Sequence, residues 1–178
     1  MRGRKITTVL VISLFMLVAF AILVLWPYSI NEFHGDGRIT DSGFWSHPRY
    51  HIIFPQWSLT DSETCTFVCK GLPPVPLTFC LRVLDPSNID LLSGSDTSIE
   101  FKLTDVHGRT LCEGNDPLKN WVLSSSVVQT RFWHPKFRKI KVKRNVEYTL
   151  TLNVKNVDPG ISDVSFEPFL KGGGNELP

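Results

Sequence analysis

The sequence predicts an all-β protein: an antiparallel, jelly-roll-like β-sandwich of about eight to ten short strands, preceded by one N-terminal transmembrane helix. Three observations carry this. Beyond residue 48 the apolar residues recur at every second position in short runs bounded by Gly, Pro, Asn and Asp. No window there sustains a helical period of 3.6 residues. Before it, Ile6 to Trp26 is almost wholly apolar and free of charge.

The apolar run comes first in the chain. A helix of about 20 apolar residues crosses the hydrocarbon core of a bilayer, and residues 6–28 supply one. Arg2, Arg4 and Lys5 precede it and the next basic residue is Arg38, so the positive-inside bias keeps residues 1–5 cytoplasmic and exports the remainder. Trp26 and Tyr28 stand where interfacial aromatics belong, and Pro27 ends the helix. The competing reading is a signal peptide cleaved after Ala19-Phe20-Ala21, but the apolar run continues to Trp26 where a polar cleavage region belongs.

Residues 29–48 read as a linker or an irregular first segment, rich in turn formers such as His34-Gly-Asp-Gly37. The sandwich is expected over 49–171. Tyr50, Ile52 and Phe54 alternate with His51 and Ile53. Thr64 to Lys70 and Leu77 to Leu84 are β-formers on either side of the stiff Gly71-Leu-Pro-Pro-Val-Pro76 connection. Ile99, Phe101 and Leu103 alternate with Glu100 and Lys102, and Asp105-Val-His-Gly108 turns the chain into Thr110–Cys112. Trp121–Leu123, Ser126–Phe132 and Phe137–Lys143 are further short runs. Tyr148, Leu150, Leu152 and Val154 mark the clearest strand, and Ile161 to Leu170 closes the domain before a flexible tail, 172–178.

Several short pieces together resemble uncharacterised bacterial membrane-anchored envelope proteins with a β-sandwich domain. They are the Gly-Asp-Gly at 35–37, Trp45-Ser-His-Pro-Arg-Tyr50, Gly71-Leu-Pro-Pro74 and Glu147-Tyr-Thr-Leu-Thr-Leu152. The resemblance implies a sandwich and no activity.

Composition narrows the functional classes. Three of the 19 basic residues precede the apolar run and none of the 17 acidic ones does, so the exported part is close to neutral and nucleic acid is not an expected partner. All four cysteines, Cys65, Cys69, Cys80 and Cys112, lie in that part. In an oxidising compartment they read as two disulfides, with Cys65 and Cys69 each bonded to Cys80 or Cys112, because an extended C-x₃-C pair stands about 13 Å apart. Distant single cysteines lack the paired knuckles of zinc sites, so no metal is expected. None of the eight asparagines sits in an N-x-[ST] sequon, in keeping with a bacterial source.

No catalytic motif is present: no nucleophile elbow, no H-E-x-x-H, no phosphate-binding loop. His47 and His51 would make a metal face on a helix, but Pro48 keeps them extended and far apart. Asp85 to Asp96 lacks calcium-loop spacing and reads as a solvated loop. Neither a metal nor any other cofactor is called for.

The most distinctive stretch is Arg131 to Arg144, with seven Lys or Arg in 14 residues. A strand from Phe137 to Arg144 places Lys139, Lys141 and Lys143 on one face, which with Arg131 and Trp133 forms a candidate site for anionic lipid or an anionic envelope polymer. Lysines also protect edge strands from aggregation, and that reading competes with binding. Trp133 is the tryptophan expected to be at least partly exposed, and most of those outside the anchor are expected to be core. The function expected is a membrane-anchored, non-catalytic envelope domain, binding or structural, in the inner membrane of a bacterium and facing the periplasm or exterior. The alternative is a carbohydrate-binding module or carbohydrate-active enzyme on a jelly roll, which would need coplanar exposed aromatics or two carboxylates about 5–10 Å apart in a cleft.

Overall fold

The computed structural model describes residues 11–21, 33–41, 50–59, 64–125, 130–137, 140–161 and 163–173. Residues 11–21 form helix α1, whose apolar side chains, Phe15 and Phe20 among them, are exposed. Among the described residues no helix is long and apolar enough to cross a membrane. The rest of the expected span, residues 6–10 and 22–28, lies outside the described residues.

Among the described residues twelve strands follow: β1 (His34–Gly35), β2 (Arg38–Asp41), β3 (Tyr50–Ile53), β4 (Trp57–Ser58), β5 (Cys65–Lys70), β6 (Leu77–Val83), β7 (Ser98–Asp105), β8 (Thr110–Pro117), β9 (Val122–Ser125), β10 (Thr130–Trp133), β11 (Tyr148–Lys155) and β12 (Ser165–Gly172). They make two antiparallel sheets. The first has the order β1-β5-β11-β7-β8, and the second β2-β3-β12-β6-β10-β9 with β4 also against β12. The sequence-expected all-β sandwich is what the two sheets build.

Period-two patterning explains how each sheet finds its face. In β11, Tyr148, Leu150 and Leu152 are buried while Thr149 and Thr151 are half-buried on the other side, and the partner strand β7 buries Ile99, Phe101 and Leu103 in register with them. From the second sheet, Leu77, Phe79 and Leu81 of β6 and Phe166 and Leu170 of β12 meet this layer. Aromatic pairs stitch the sheets together: Phe54 stacks on Phe67 at 4.7 Å, and Phe79 lies 5.9 Å from Phe101. Trp57 and Trp121 are buried in the same core.

Two glycines are required by close approach. A Cβ at Gly35, whose φ is +137°, would stand 2.2 Å from the Val68 carbonyl oxygen, so only glycine lets β1 meet β5. A Cβ at Gly114 would meet the Phe101 ring at 2.6 Å, and its absence leaves room for that ring between the sheets.

Four expectations are corrected. The presumed linker supplies β1 and β2, because Asp36 clamps it to β5: its N–H donates to the Val68 carbonyl and its carboxylate accepts from the Val68 N–H, both at 2.7 Å. The acidic stretch 85–96 is not a plain loop. Asp85 caps a 3₁₀ turn opened by Pro86, accepting from Ser87 N–H, and the short helix α2 (Ile89–Ser93) follows. In Phe137–Lys143 the described residues show no strand beyond one bridge, Ile140 to Leu77, since a turn closed by Phe137 N–H onto the His134 carbonyl interrupts the line. The four cysteines, finally, form no disulfide. Cys112 on β8 is three strands from Cys65 and Cys69 on β5, about 14 Å at sheet spacing, and Cys80 points away from β5, to the outer side of the other sheet. A disulfide needs Cα atoms within about 7 Å.

Candidate functional site

The face that stands out is the outer side of the second sheet. In β6 the residues at odd positions, Leu77 to Val83, point into the core, so Thr78, Cys80 and Arg82 point out. In β12, by the same alternation, Glu167, Phe169 and Lys171 point out. Cys80 and Phe169 are nonetheless buried, at 2% and 3% exposure, although neither belongs to the intersheet core cluster.

Register assembles these residues into rows that cross the strands. The central row reads Arg38, Ile53, Phe169, Cys80, Trp133, Val122. It spans six strands, roughly 24 Å at ordinary strand spacing. On one side lies the row Glu167, Arg82, Arg131, Ser124, and on the other Thr40, His51, Lys171, Thr78. From Ile53 to Val122 the central row is apolar, with Arg82 and Arg131 beside Glu167 on one side and Lys171 on the other.

The electrostatics are one-sided. Arg38, Arg82, Arg131 and Lys171 share the face with one carboxylate among its described strand residues, Glu167. That carboxylate pairs with Arg82 and lies 3.9 Å from Arg38. His51 packs edge-on against Phe169 at 5.6 Å. Burial, reinforced by the positive fields of Lys171, Arg131 and Arg82, holds its imidazole below the usual range, so it stays neutral near pH 7. Burial likewise pushes the Cys80 thiol up to about 12, against the pull of Arg131 and Lys171, which keeps it protonated and unreactive. Trp133 Nε1 and Arg82 Nε are buried donors without a hydrogen-bond partner, an arrangement that costs free energy unless an acceptor is supplied.

The sequence-predicted site residues are thus divided. Arg131 and Trp133 both lie on β10 and point to this outer face, and Trp133 is partly exposed as expected. Lys141 and Lys143 are exposed. Ile140 bridges Leu77 and packs toward the core, so Lys141 faces the outer side beyond Trp133. Lys143 sits nearer the first sheet, its N–H donating to the Tyr148 hydroxyl at 2.7 Å. Lys139 lies outside the described residues. Sequence reasoning missed Arg38, Arg82, Lys171 and His51. Their signal was a polar residue at every second position of otherwise apolar runs, but only the pairing of β12 with β3 and β6 gathers them.

The basic stretch also holds an interior anchor. His134 is buried between Phe101 and Trp121, with ring centroids 4.8 and 5.1 Å away. Its Nδ1 accepts the Lys136 N–H at 3.1 Å, so the proton resides on Nε2, which donates to Asp116 at 2.9 Å. Burial raises the Asp116 carboxyl, but hydrogen bonds and charge from Lys136 and His134 outweigh it and hold it below the usual carboxylate range. Both imidazole nitrogens are committed to this clamp, which ties the basic stretch to β8.

A second concavity, of about 750 Å³, lies against the outer side of the first sheet and is lined by Glu100, Lys102, Glu113, Asn115 and Asn153 among others. Glu100 and Glu113 are diagonal neighbours on paired strands, about 7–8 Å apart at the backbone. They are exposed and ion-paired with Lys155 and Lys102, unlike a glycosidase pair, in which one carboxyl is held protonated by an apolar pocket. Among the described residues no group of His, Cys, Asp and Glu is arranged to hold a metal ion.

No protein-family model matches this chain, and no curated protein matches it in sequence.

Proposed function

We propose that this chain is a non-catalytic binding module held at a bacterial inner membrane by its N-terminal apolar segment, with the β-sandwich outside the cytoplasm and an anionic partner. The observation that carries the reading is the cationic outer face of the second sheet, where the described strand residues set four basic side chains against one carboxylate. A near-neutral domain has no need of such an accumulation for solubility. The apolar run from Ile6 to Trp26 behind Arg2, Arg4 and Lys5 supports the anchor and its orientation. The engagement of both His134 nitrogens within the fold supports a structural rather than a catalytic role for the histidine–carboxylate pair.

Two measurements test this. Expressed with its own N-terminus, the protein stays in the membrane fraction at full length through a carbonate wash; a soluble mature form beginning at Ile22 refutes the anchor. In uncharged detergent micelles, the full chain is retained on an immobilised polyanion and released by moderate salt, as screened surface charge requires. Equal retention on a neutral matrix refutes the anionic partner.

A further inference from the structure

The sandwich has two ends as well as two faces, and the ends carry opposite charge. Register fixes which loops share an end. In the first sheet Tyr148, where β11 begins, pairs with Cys69 and Asp105 at the close of β5 and β7, and His34 pairs with Lys70 beside them. In the second sheet Gly172, which ends β12, pairs with Tyr50 and Leu77, which begin β3 and β6. The Tyr50 hydroxyl donates to the carbonyl of Pro73, three residues after Lys70, so both sheets meet at this end. The opposite end gathers Lys155 with Ser98 and Pro117, helix α2, and the loop after β11, whose Asp158 N–H donates to the Thr97 hydroxyl at 2.8 Å.

Among the described residues, the loops of that opposite end carry Asp85, Asp90, Asp96, Asp158 and Asp163 against Lys119, which is paired with Asp96. The loops of the first end carry Arg109, Lys141, Lys143 and Arg144 against Glu147. Bordering strand residues, Lys70, Asp41 and Asp105 at the first end and Lys155 at the other, reduce the contrast without removing it. Lys70, Lys141 and Lys143 are exposed and, among the described residues, make no ion pair.

The chain enters the sandwich at the cationic end, where Phe33 packs against the core and His34 joins β5. Six residues, 27–32, separate Phe33 from Trp26, which closes the apolar run. They span at most about 25 Å, whereas a strand such as β7 is itself about 27 Å long. An anchor at the apolar run therefore keeps the cationic end beside the membrane, and charge selects the pose: upright, the sandwich sets its cations on an anionic surface and holds its aspartates away from it. The far end exposes Leu84, Leu91 and Val157, but each adjoins an aspartate (Asp85, Asp90 and Asp158) that such a surface repels. At the near end Val106, 61% exposed, tips the β7–β8 hairpin. That turn is already fastened, since the Asp105 carboxylate accepts from the His107 and Arg109 N–H groups, both at 3.0 Å. The valine thus enters a headgroup boundary without a loop having to be ordered.

We infer that the sandwich stands end-on upon the anionic lipid surface of the membrane that holds its anchor, with Lys70, Lys141, Lys143 and the Val106 tip as its footing. The inference rests on the anchor reading above, and the upright pose keeps the outer face of the second sheet open to its own partner.

The test places the full chain in nanodiscs of phosphatidylcholine with or without phosphatidylglycerol and measures lysine acylation by a water-soluble reagent, residue by residue, in a mass spectrometer. At low salt phosphatidylglycerol slows acylation of Lys70, Lys141 and Lys143 several-fold, leaves Lys119 and Lys155 unchanged, and loses its effect at moderate salt. Lys141→Gln with Lys143→Gln lowers the docked-to-undocked ratio about 25-fold, about fivefold for each cation, and returns Lys70 to its rate in phosphatidylcholine. Both side chains are exposed, and an unchanged melting temperature shows the fold intact. Val106→Asp weakens docking a few-fold. Slowing that extends to Lys119 and Lys155 overturns the end-on pose, and slowing that is equal in both lipids overturns the anionic surface. Chain retained in the discs with no lysine slowed overturns the docking and leaves the anchor standing. Chain that fails to enter discs of either composition overturns both.

Discussion

The two outer faces of the sandwich use charge in opposite ways. On the first sheet acids and bases alternate and neutralise one another across strands: Lys102 with Glu113 at 3.9 Å, Lys155 with Glu100 at 3.7 Å, and Asn153 donating to Glu100 at 3.3 Å. All four charged groups are about half exposed or more, so each pair contributes little and costs little. Among the described strand residues of the second sheet's outer face the cations outnumber the acids four to one, the carboxylate of Glu167 retains only 16% of its side-chain exposure, and an apolar row runs between the charges. A protein gains no stability by gathering like charges on a partly desolvated surface. The first face is an ordinary solvated wall, and the second concentrates cations beside a largely buried apolar row.

Stability measurements can break this comparison, and the largest effect belongs to Phe169. It lies on an outer face yet is buried, packed in register between Ile53 and Cys80 and against His51. Phe169→Ala is expected to destabilise the domain by about 3 kcal/mol, as in a true core. Thr151→Ala, at a comparable outward position on the first sheet, is expected to stay within about 0.5 kcal/mol. Chemical denaturation of both variants decides it, and similar losses would make the two faces equivalent.

A smaller difference separates the carboxylates. Glu167→Gln leaves Arg82, 30% exposed at its side chain, facing Arg131 without its counter-ion. Removing one partner from a buried pair costs about 3–5 kcal/mol; with this much exposure remaining, about 2 kcal/mol is expected. Glu113→Gln on the first sheet removes an exposed partner and is expected to cost no more than about 0.5 kcal/mol. Thermal unfolding at low and moderate salt checks both, the first shift being the less sensitive to salt.

Local patterning made much of the framework legible, and long-range pairing hid the site. The strand at Tyr148–Lys155 and those at Tyr50–Ile53, Leu77–Val83 and Ser98–Asp105 follow from alternation that any window of the chain displays. Trp133 is distinguishable from Trp57 and Trp121 by its basic neighbours, and its partial exposure follows. The expected ladder of Lys139, Lys141 and Lys143 assumed a strand from Phe137 to Arg144, whereas Phe137 closes a turn onto His134, which is held inward by Asp116, a contact 18 residues away that no local pattern records. The cysteine expectation failed for a related reason. Spacing along the chain said that Cys65 and Cys69 could not bond each other, but strand order is what places Cys112 and Cys80 out of their reach. The presumed linker joined the sheets through two hydrogen bonds to Val68, contacts made by a single aspartate in a glycine-rich turn.

The smallest expected effect is the most discriminating, because its sign differs between the faces. Arg131 is directly opposite Arg82 on the neighbouring strand, and like charges in that position repel by a few tenths of a kcal/mol up to about 1 kcal/mol. Arg131→Gln keeps the length and hydrogen-bonding capacity of the side chain while removing that repulsion, so it is expected to raise stability by about 0.5 kcal/mol at low salt. Lys102 is opposite Glu113, and Lys102→Gln removes an attraction, so it is expected to lower stability by about 0.3 kcal/mol. Both changes shrink as salt rises, since both are Coulombic and partly solvated. Equilibrium denaturation at low ionic strength resolves the two if several replicates are compared. A loss of stability in Arg131→Gln would mean that this guanidinium supports the fold as an ordinary structural residue. A gain, joined to weaker binding of an acidic polymer, would mean that the domain retains a repulsive cation on its second sheet for the sake of what lands there.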